Sequence, residues 1–308
     1  MSKIAYVFPG QGAQAVGMGK DLYDNFNEAK EVFEKANTAL GFDIKALCFD
    51  GPIEELKKTA ITQPAIFTMS IAAYAILKSK GKKPSLVAGH SLGEYSAICA
   101  AQGLSFEDAV RLLHLRGKFM QEAVPEGQGA MAAVLGLSSQ VIVEVCKTAS
   151  SVGPVEAANF NSPDQTVISG SKEGVEEAAK LLKEKGAKRV IPLQVSAPFH
   201  CSLMKPAADK LAIELNKTRF NNVIFPLVAN VLASEVSEGN KIRNLLIEQV
   251  TSSVRWTESV IHMTNAGVST FVEIGPGKVL SGLIKKISPS AMVYNVEDVK
   301  SLEGVLTI

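Results

Sequence analysis

The chain has 308 residues, 46% of them hydrophobic and 20% charged, with 32 Lys and Arg against 31 Asp and Glu. That balance excludes a disordered, collagenous or disulfide-framework protein, and a net charge of +1 gives no field for nucleic acid or a polybasic membrane contact. The length allows one large domain or two unequal ones.

Ile4–Phe8 is a short β-rich apolar run cut off by Pro9-Gly10, which predicts a buried strand ending in a tight loop. The apolar start is too short for a signal-peptide core, and no later run reads as long enough to cross a bilayer, so a soluble chain without membrane contact is expected. Residues 21–40 read as a helix, and Pro64–Ser79 as a small-residue helix followed by the breakers Gly81–Pro84 and the strand Ser85–Ala88. Gly89-His90-Ser91-Leu92-Gly93 comes directly after that strand, before an Ala-rich helix over 92–102 and a helix over 106–123 opened by Ser105 and Asp108.

The rhythm then changes. Strand 129–136, helix 138–149, strands 155–160 and 165–170, helix 172–186 and strand 188–195 form a β-α-β-β-α-β order, the split pattern of a ferredoxin-like unit. Alternation resumes with strand 224–231, helices 241–251 and 255–266, strand 270–274, the turn Gly275-Pro276-Gly277, helix 278–287 and strand 291–295. The expected fold class is therefore α/β: a large domain with a mostly parallel sheet (1–124 and 197–308), interrupted by a small ferredoxin-like insert (125–196). Cys48, Cys99, Cys146 and Cys201 form no CxxC pair and show no metal-ligand spacing, so a reduced, cytoplasmic chain without metal is expected.

Gly89–Gly93 fits G-x-S-x-G, in which a strained strand-to-helix turn lifts a serine hydroxyl into the open; the five residues are a weak signal alone, and their placement strengthens it. The amide after Ser91 points where an oxyanion would form. A serine nucleophile needs a base, and four histidines are available. His90 reads as a structural hydrogen bonder inside the elbow, and His114 and His262 as ordinary helical residues. His200 follows Val195-Ser-Ala-Pro-Phe199 in a proline-held loop, where it is either a base returned to the elbow or a packed loop histidine. Arg116 follows Leu112–Leu115 and is either buried at a cleft as a fork for a carboxylate or an exposed helical arginine, the latter favoured by sequence alone. The loop Pro9–Gln14 lacks the third glycine of a dinucleotide site, Ala standing at 15, yet its amides could supply a second oxyanion donor.

Phe8-Pro-Gly-Gln-Gly-Ala-Gln14, Gly89-His-Ser-Leu-Gly-Glu94, Ala158-Asn-Phe-Asn-Ser-Pro163 and Glu273-Ile-Gly-Pro-Gly-Lys-Val-Leu280 together resemble the malonyl-CoA:acyl carrier protein transacylases of bacterial fatty acid synthesis, in order from Ser2 to about Val296. The resemblance implies an α/β-hydrolase-like core and an acyltransferase ([acyl-carrier-protein] S-malonyltransferase, EC 2.3.1.39) with Ser91 as nucleophile and His200 as base. It further implies Arg116 as partner of the malonyl carboxylate, the amides of Gln11 and Leu92 as oxyanion hole, and the Gln249 carbonyl as the group orienting the histidine. Since 108 residues follow His200, a dyad suits the chain better than a hydrolase triad with a late histidine.

Phe199 stands where malonyl-selective relatives carry Phe and is expected to crowd an α-methyl group, while Asn161, His90 and the Gly275–Gly277 turn are expected around the substrate channel. Implied partners are malonyl-CoA and phosphopantetheinylated acyl carrier protein. No cofactor is implied beyond coenzyme A as substrate thioester, and the oligomeric state stays open, a monomer included. Lys183, Lys185, Lys188 and Arg189 are either a docking edge for the carrier or a solvated basic edge. A hydrolase and a polyketide-pathway transacylase remain the rival enzymes, and a docking module without chemistry the non-enzymatic rival.

Overall fold

The computed structural model describes residues 3–195 and 197–308; Met1, Ser2 and Ser196, the last in the loop read as carrying the base, lie outside it. Two sheets organise the chain. The first runs β10-β9-β1-β2-β7-β8, from β1 (Lys3–Phe8), β2 (Leu86–Gly89), β7 (Leu227–Ala229), β8 (Ser234–Val236), β9 (Val268–Ile274) and β10 (Met292–Val296). All its pairings are parallel except β7 with β8. β1 and β2 are buried from Ala5 to Phe8 and from Leu86 to Gly89, as expected of strands covered on both faces.

The second sheet has the order β4-β5-β3-β6 and is antiparallel throughout: β3 (Gly129–Leu135), β4 (Val155–Ser162), β5 (Gln165–Ser171) and β6 (Arg189–Pro192). With the helices Ser139–Ala149 and Lys172–Glu184 it makes the split βαββαβ arrangement of the expected fold class. Both helices start on serine hydroxyls, Ser138 accepting from the Val141 amide and Ser171 from the Gly174 amide. Ser105 likewise accepts from the Asp108 amide and opens the helix Phe106–Glu122.

Several expected elements change. The single helix over 21–40 is two, Lys20–Asn25 and Asn27–Leu40, because Phe26 is extended (φ −131°, ψ 129°). The strand expected over 188–195 stops at Pro192, with one more main-chain bond from Leu193 to Met131, and the one over 224–231 begins only after Pro226, which has no N–H for a ladder. The helices Ile44–Asp50, Lys205–Lys217 and Val299–Leu306 and the short strand β8 were not foreseen.

The expectation that no run is long enough to cross a bilayer has one exception, by length and composition alone. Helix Thr59–Ser79 is 21 residues long and its most apolar 18-residue stretch has mean hydropathy 1.5, but 83% of that stretch is buried inside the protein. Its apolar surface is spent on the core.

That buried helix packs against Phe106–Glu122, and three residues explain how closely. A Cβ on Gly117 would come within 2.5 Å of the Thr59 carbonyl, so only glycine admits this approach. Pro64 lacks the N–H that would reach the Ala60 carbonyl, and His114 Nδ1 donates to that carbonyl instead at 2.8 Å. Arg116 is thereby brought against Gln63.

Candidate active site

The elbow is built by steric necessity. A Cβ on Gly89 would lie 2.0 Å from the Gly93 carbonyl carbon, and one on Gly93 would lie 2.2 Å from the Phe8 oxygen, so strand β1, strand β2 and the following helix meet only through glycine. Between them Ser91 takes φ 53°, a left-handed conformation costly for a residue with a side chain. The Asn230 side chain holds the turn from both sides, its Oδ1 accepting from the Ser91 amide at 2.8 Å and its Nδ2 donating to the Gly89 carbonyl at 2.6 Å. The site thus lies at the carboxyl ends of β1 and β2, beside the point between β1 and β9 where strand order reverses.

His200, also left-handed at φ 59°, places Nε2 2.7 Å from Ser91 Oγ. Its Nδ1 faces two carbonyls, Gln249 at 2.9 Å and Ser252 at 3.2 Å. Carbonyls only accept, so the proton sits on Nδ1 and Nε2 is left bare to take the serine proton. Burial, and then the Arg116 charge, push the His200 pKa down to about 3 and keep the ring neutral. Neither of these carbonyls is acidic, so the pair is a dyad oriented by main chain.

Arg116 is 1% exposed, which overturns the exposed-helix reading that sequence alone favoured. Its Nη1 donates to Gln63 Oε1 at 2.7 Å, and its Nη2 donates to Gln249 Oε1 at 2.9 Å and to Ser91 Oγ at 3.1 Å. Its Nε has no hydrogen-bond partner among the described residues, and the guanidinium lies over the Tyr95 ring. Among the described residues no carboxylate lies within ion-pair distance of Arg116. A buried cation whose direct hydrogen-bond partners are all neutral, the Glu94 charge acting on it only from behind Gln249, is costly, and an anion entering beside Ser91 would relieve it.

The cavity above the dyad holds about 110 Å³ and is lined by Gln11, Leu92, Arg116, Met120, Met131 and Phe199, among others. That is room for a few-atom acyl group, well below the several hundred Å³ of a drug-sized cleft. The main-chain N–H groups of Gln11 and Leu92 donate to no group among the described residues. A second hollow of about 300 Å³ shares Gln11, His90, Asn159 and Leu193 with the first and continues past Asn161. The Gly275–Gly277 turn, expected as its wall, is not among the lining residues; the following helix contributes Val279, Leu280 and Leu283 in its place.

His90 turns away from the serine, its Nε2 2.9 Å from Asn161 Oδ1 and its ring against Trp256. His114 and His262 do not line the cavity. Lys183, Lys185, Lys188 and Arg189 are exposed at the end of one helix and the start of β6. Among the described residues no group of three or more His, Cys, Asp and Glu is placed to hold a metal.

Sequence reading missed Gln63, Asn230 and the Gln249 side chain, and left Glu94 without a part. Their partners lie 53, 139, 133 and 155 positions away, beyond any local pattern. Asn230, directly after a β-rich run, carried the one local signal, a polar residue at a strand end.

An acyl transferase domain family matches residues 5–304. The malonyl CoA-acyl carrier protein transacylase of Escherichia coli K12 is 50% identical over 308 residues, covering 96% of this chain and 100% of that protein. Among solved structures, an acyl carrier protein S-malonyltransferase from Vibrio cholerae aligns with TM-score 0.97 at 48% identity, covering 99% of this chain and 100% of that one. A malonyl-transacylase in complex with its type II PKS acyl-carrier protein aligns with the same score and identity, covering 99% of each chain.

Proposed function

The chain belongs to the acyl transferase family, and we propose that it moves malonyl groups from coenzyme A to the phosphopantetheine thiol of acyl carrier protein through a malonyl ester on Ser91. The observation that carries the acyl choice is Arg116, a buried cation without a carboxylate partner, 3.1 Å from the Ser91 hydroxyl. An acyl group bearing its own carboxylate completes that site, and acetyl does not.

His200 Nε2 takes the proton of Ser91 Oγ as the oxygen attacks the thioester carbonyl. The amides of Gln11 and Leu92 hold the oxyanion of the tetrahedral intermediate. Its collapse breaks the carbon–sulfur bond, and the departing thiolate of coenzyme A takes the proton back from His200. The carrier's pantetheine thiol then reverses these steps: its proton goes to His200, its sulfur takes the malonyl group, and Ser91 leaves reprotonated. The malonyl carboxylate also strengthens the base, because neutralising Arg116 removes one of the two chief causes that depress His200.

The long hollow past His90 and Asn161 suits the pantetheine arm, whose binding favours a thiol over water as second nucleophile. Phe199, buried beside His200, narrows the pocket against an α-methyl group, a discrimination of about 1 to 3 kcal/mol that leaves measurable methylmalonyl transfer. The exposed lysines 183, 185 and 188 with Arg189 suit an acidic carrier. The proposed reaction suits a cytoplasmic enzyme that supplies chain elongation, with a coenzyme A thioester as substrate and no resident cofactor.

Mixing enzyme with labelled malonyl-CoA and holo-carrier tests the assignment. Label is expected on the carrier thiol. Free malonate as the main product would instead make the enzyme a hydrolase.

A further inference from the structure

We propose that Glu94 is a positioning residue for acyl choice: it fixes the direction of the Gln249 carboxamide, which in turn holds Arg116 where the acyl carboxylate binds. This rests on the reading of Arg116 as the carboxylate site. Glu94 lies on the first turn of the helix Gly93–Ala100, is buried, and does not line the cavity, so it can act only through another residue.

Both of its oxygens are met by donors. The Asn230 amide donates to Oε1 at 3.3 Å and Gln249 Nε2 donates to Oε2 at 2.5 Å. A carboxylate between two donors accepts at both ends, so Gln249 must face it with its NH₂. The opposite end of that carboxamide, Oε1, then faces Arg116 Nη2 at 2.9 Å. A reversed carboxamide would set an NH₂ against a guanidinium, which has no acceptor. The same Nε2 also donates to the Ser91 carbonyl at 3.1 Å, and the Gln249 main-chain oxygen accepts from His200. One residue therefore touches nucleophile, base and cation, and Glu94, its shortest contact, sets its polarity together with the Ser91 carbonyl. Burial raises the Glu94 pKa to about 7 against the pull of both hydrogen bonds and the Arg116 charge, so its state rests on the two N–H donors that meet its oxygens.

Glu94→Gln puts an NH₂ where one acceptor stood. The one remaining oxygen serves only one of two donors, the Asn230 main-chain amide or Gln249 Nε2, so the new NH₂ meets a donor; where it faces Gln249, relief requires that carboxamide to turn its own NH₂ toward Arg116. Serine acylation should be measured with malonyl-CoA and acetyl-CoA on wild type, Glu94→Gln, Glu94→Asp and Arg116→Ala. Glu94→Gln is expected to raise the malonyl-CoA KM and cut the malonyl-to-acetyl ratio of kcat/KM at least tenfold, with Glu94→Asp recovering most of the ratio because it keeps the carboxylate. A folded Glu94→Gln enzyme with the wild-type ratio, or with both donors slowed equally, overturns the proposal.

If Glu94→Gln does not fold, Gln249→Glu reads the chain from its other end. It sets a carboxylate against Arg116 and should abolish the malonyl preference; retained preference overturns the proposal. An unchanged ratio in Arg116→Ala would instead sink the carboxylate reading on which the proposal rests.

Discussion

In the proposed reaction, the chemistry of acyl choice is concentrated in one guanidinium, that of Arg116. Its hydrogen bonds to Gln63, Gln249 and Ser91 are all to neutral oxygens, so the ion-pair contribution is left for the substrate. Truncating one member of a buried charge pair costs about 2 to 4 kcal/mol, so Arg116→Ala should lower kcat/KM for malonyl-CoA by roughly two orders of magnitude. Acetyl-CoA should lose far less, and its preference should overtake that for malonyl. Rates of Ser91 acylation with the two donors check this.

His200 adds a pH signature in stability. Its folded pKa is depressed, so the unfolded chain binds the extra proton; the stabilisation is complete above the ordinary value of 6.5 and is lost as pH falls toward about 3. Glu94 acts oppositely, since its folded pKa is raised to about 7, and it adds stability as pH falls from there toward its ordinary value of 4.5. Comparing wild type with His200→Ala cancels the Glu94 part. Urea melts should show wild type losing about 1 to 2 kcal/mol more than the variant between pH 6.5 and 5. Equal losses would mean that His200 is not held neutral.

At this scale the sequence was legible where chemistry is local. Ser91 and Leu92 lie inside one motif, and residues of the Ser105 and Ser138 kind signal helix starts within three positions. Arg116 was ambiguous because burial is a tertiary property: Leu112–Leu115 before it would fit either side of the helix. Gln63, Asn230 and the Gln249 side chain had no local mark, since the carboxamides became functional only by meeting Arg116 and Ser91 across the fold.

Among elements, the pair of helices Thr59–Ser79 and Phe106–Glu122 sets where Arg116 stands. Gly117 permits their approach and His114 mends the hydrogen-bond gap left by Pro64. Gly117→Val would force a side chain into the Thr59 carbonyl and push the helices apart, at a cost of roughly 1 to 3 kcal/mol. Thermal unfolding should show the loss, and the malonyl-to-acetyl ratio should fall as Arg116 leaves Gln63. A variant destabilised to this degree but with the ratio intact would separate helix packing from Arg116 placement.

Element order was legible because apolar runs and breakers alternate along the chain, and the βαββαβ order was readable from its own rhythm. Element ends were not. Pro226 delays a strand by withholding its N–H, and Phe26 breaks a helix whose composition continues across it. The helix Thr59–Ser79 was under-read because Thr59, Thr62 and Gln63 look like surface residues and are buried.

At the scale of the whole molecule, the two sheets share the work. Ser91, Leu92 and Arg116 come from the parallel-sheet side, while Met131, Asn159 and Leu193 come from on or beside the antiparallel sheet and complete the cavity. Its volume of about 110 Å³ has room for a few atoms, and the adjoining hollow of about 300 Å³ is the path proposed for the thiol-bearing arm. A net charge of +1 conceals this arrangement, because the cation that matters is buried and the basic edge from Lys183 to Arg189 is local.

The central claim is a covalent malonyl-serine intermediate. Incubating the enzyme with malonyl-CoA alone, quenching in acid and sequencing the peptides by mass spectrometry tests it directly. The expected result is one malonyl group on Ser91, absent in Ser91→Ala and discharged on adding holo-carrier; an adduct on any other residue, or none on the wild-type enzyme, would contradict it.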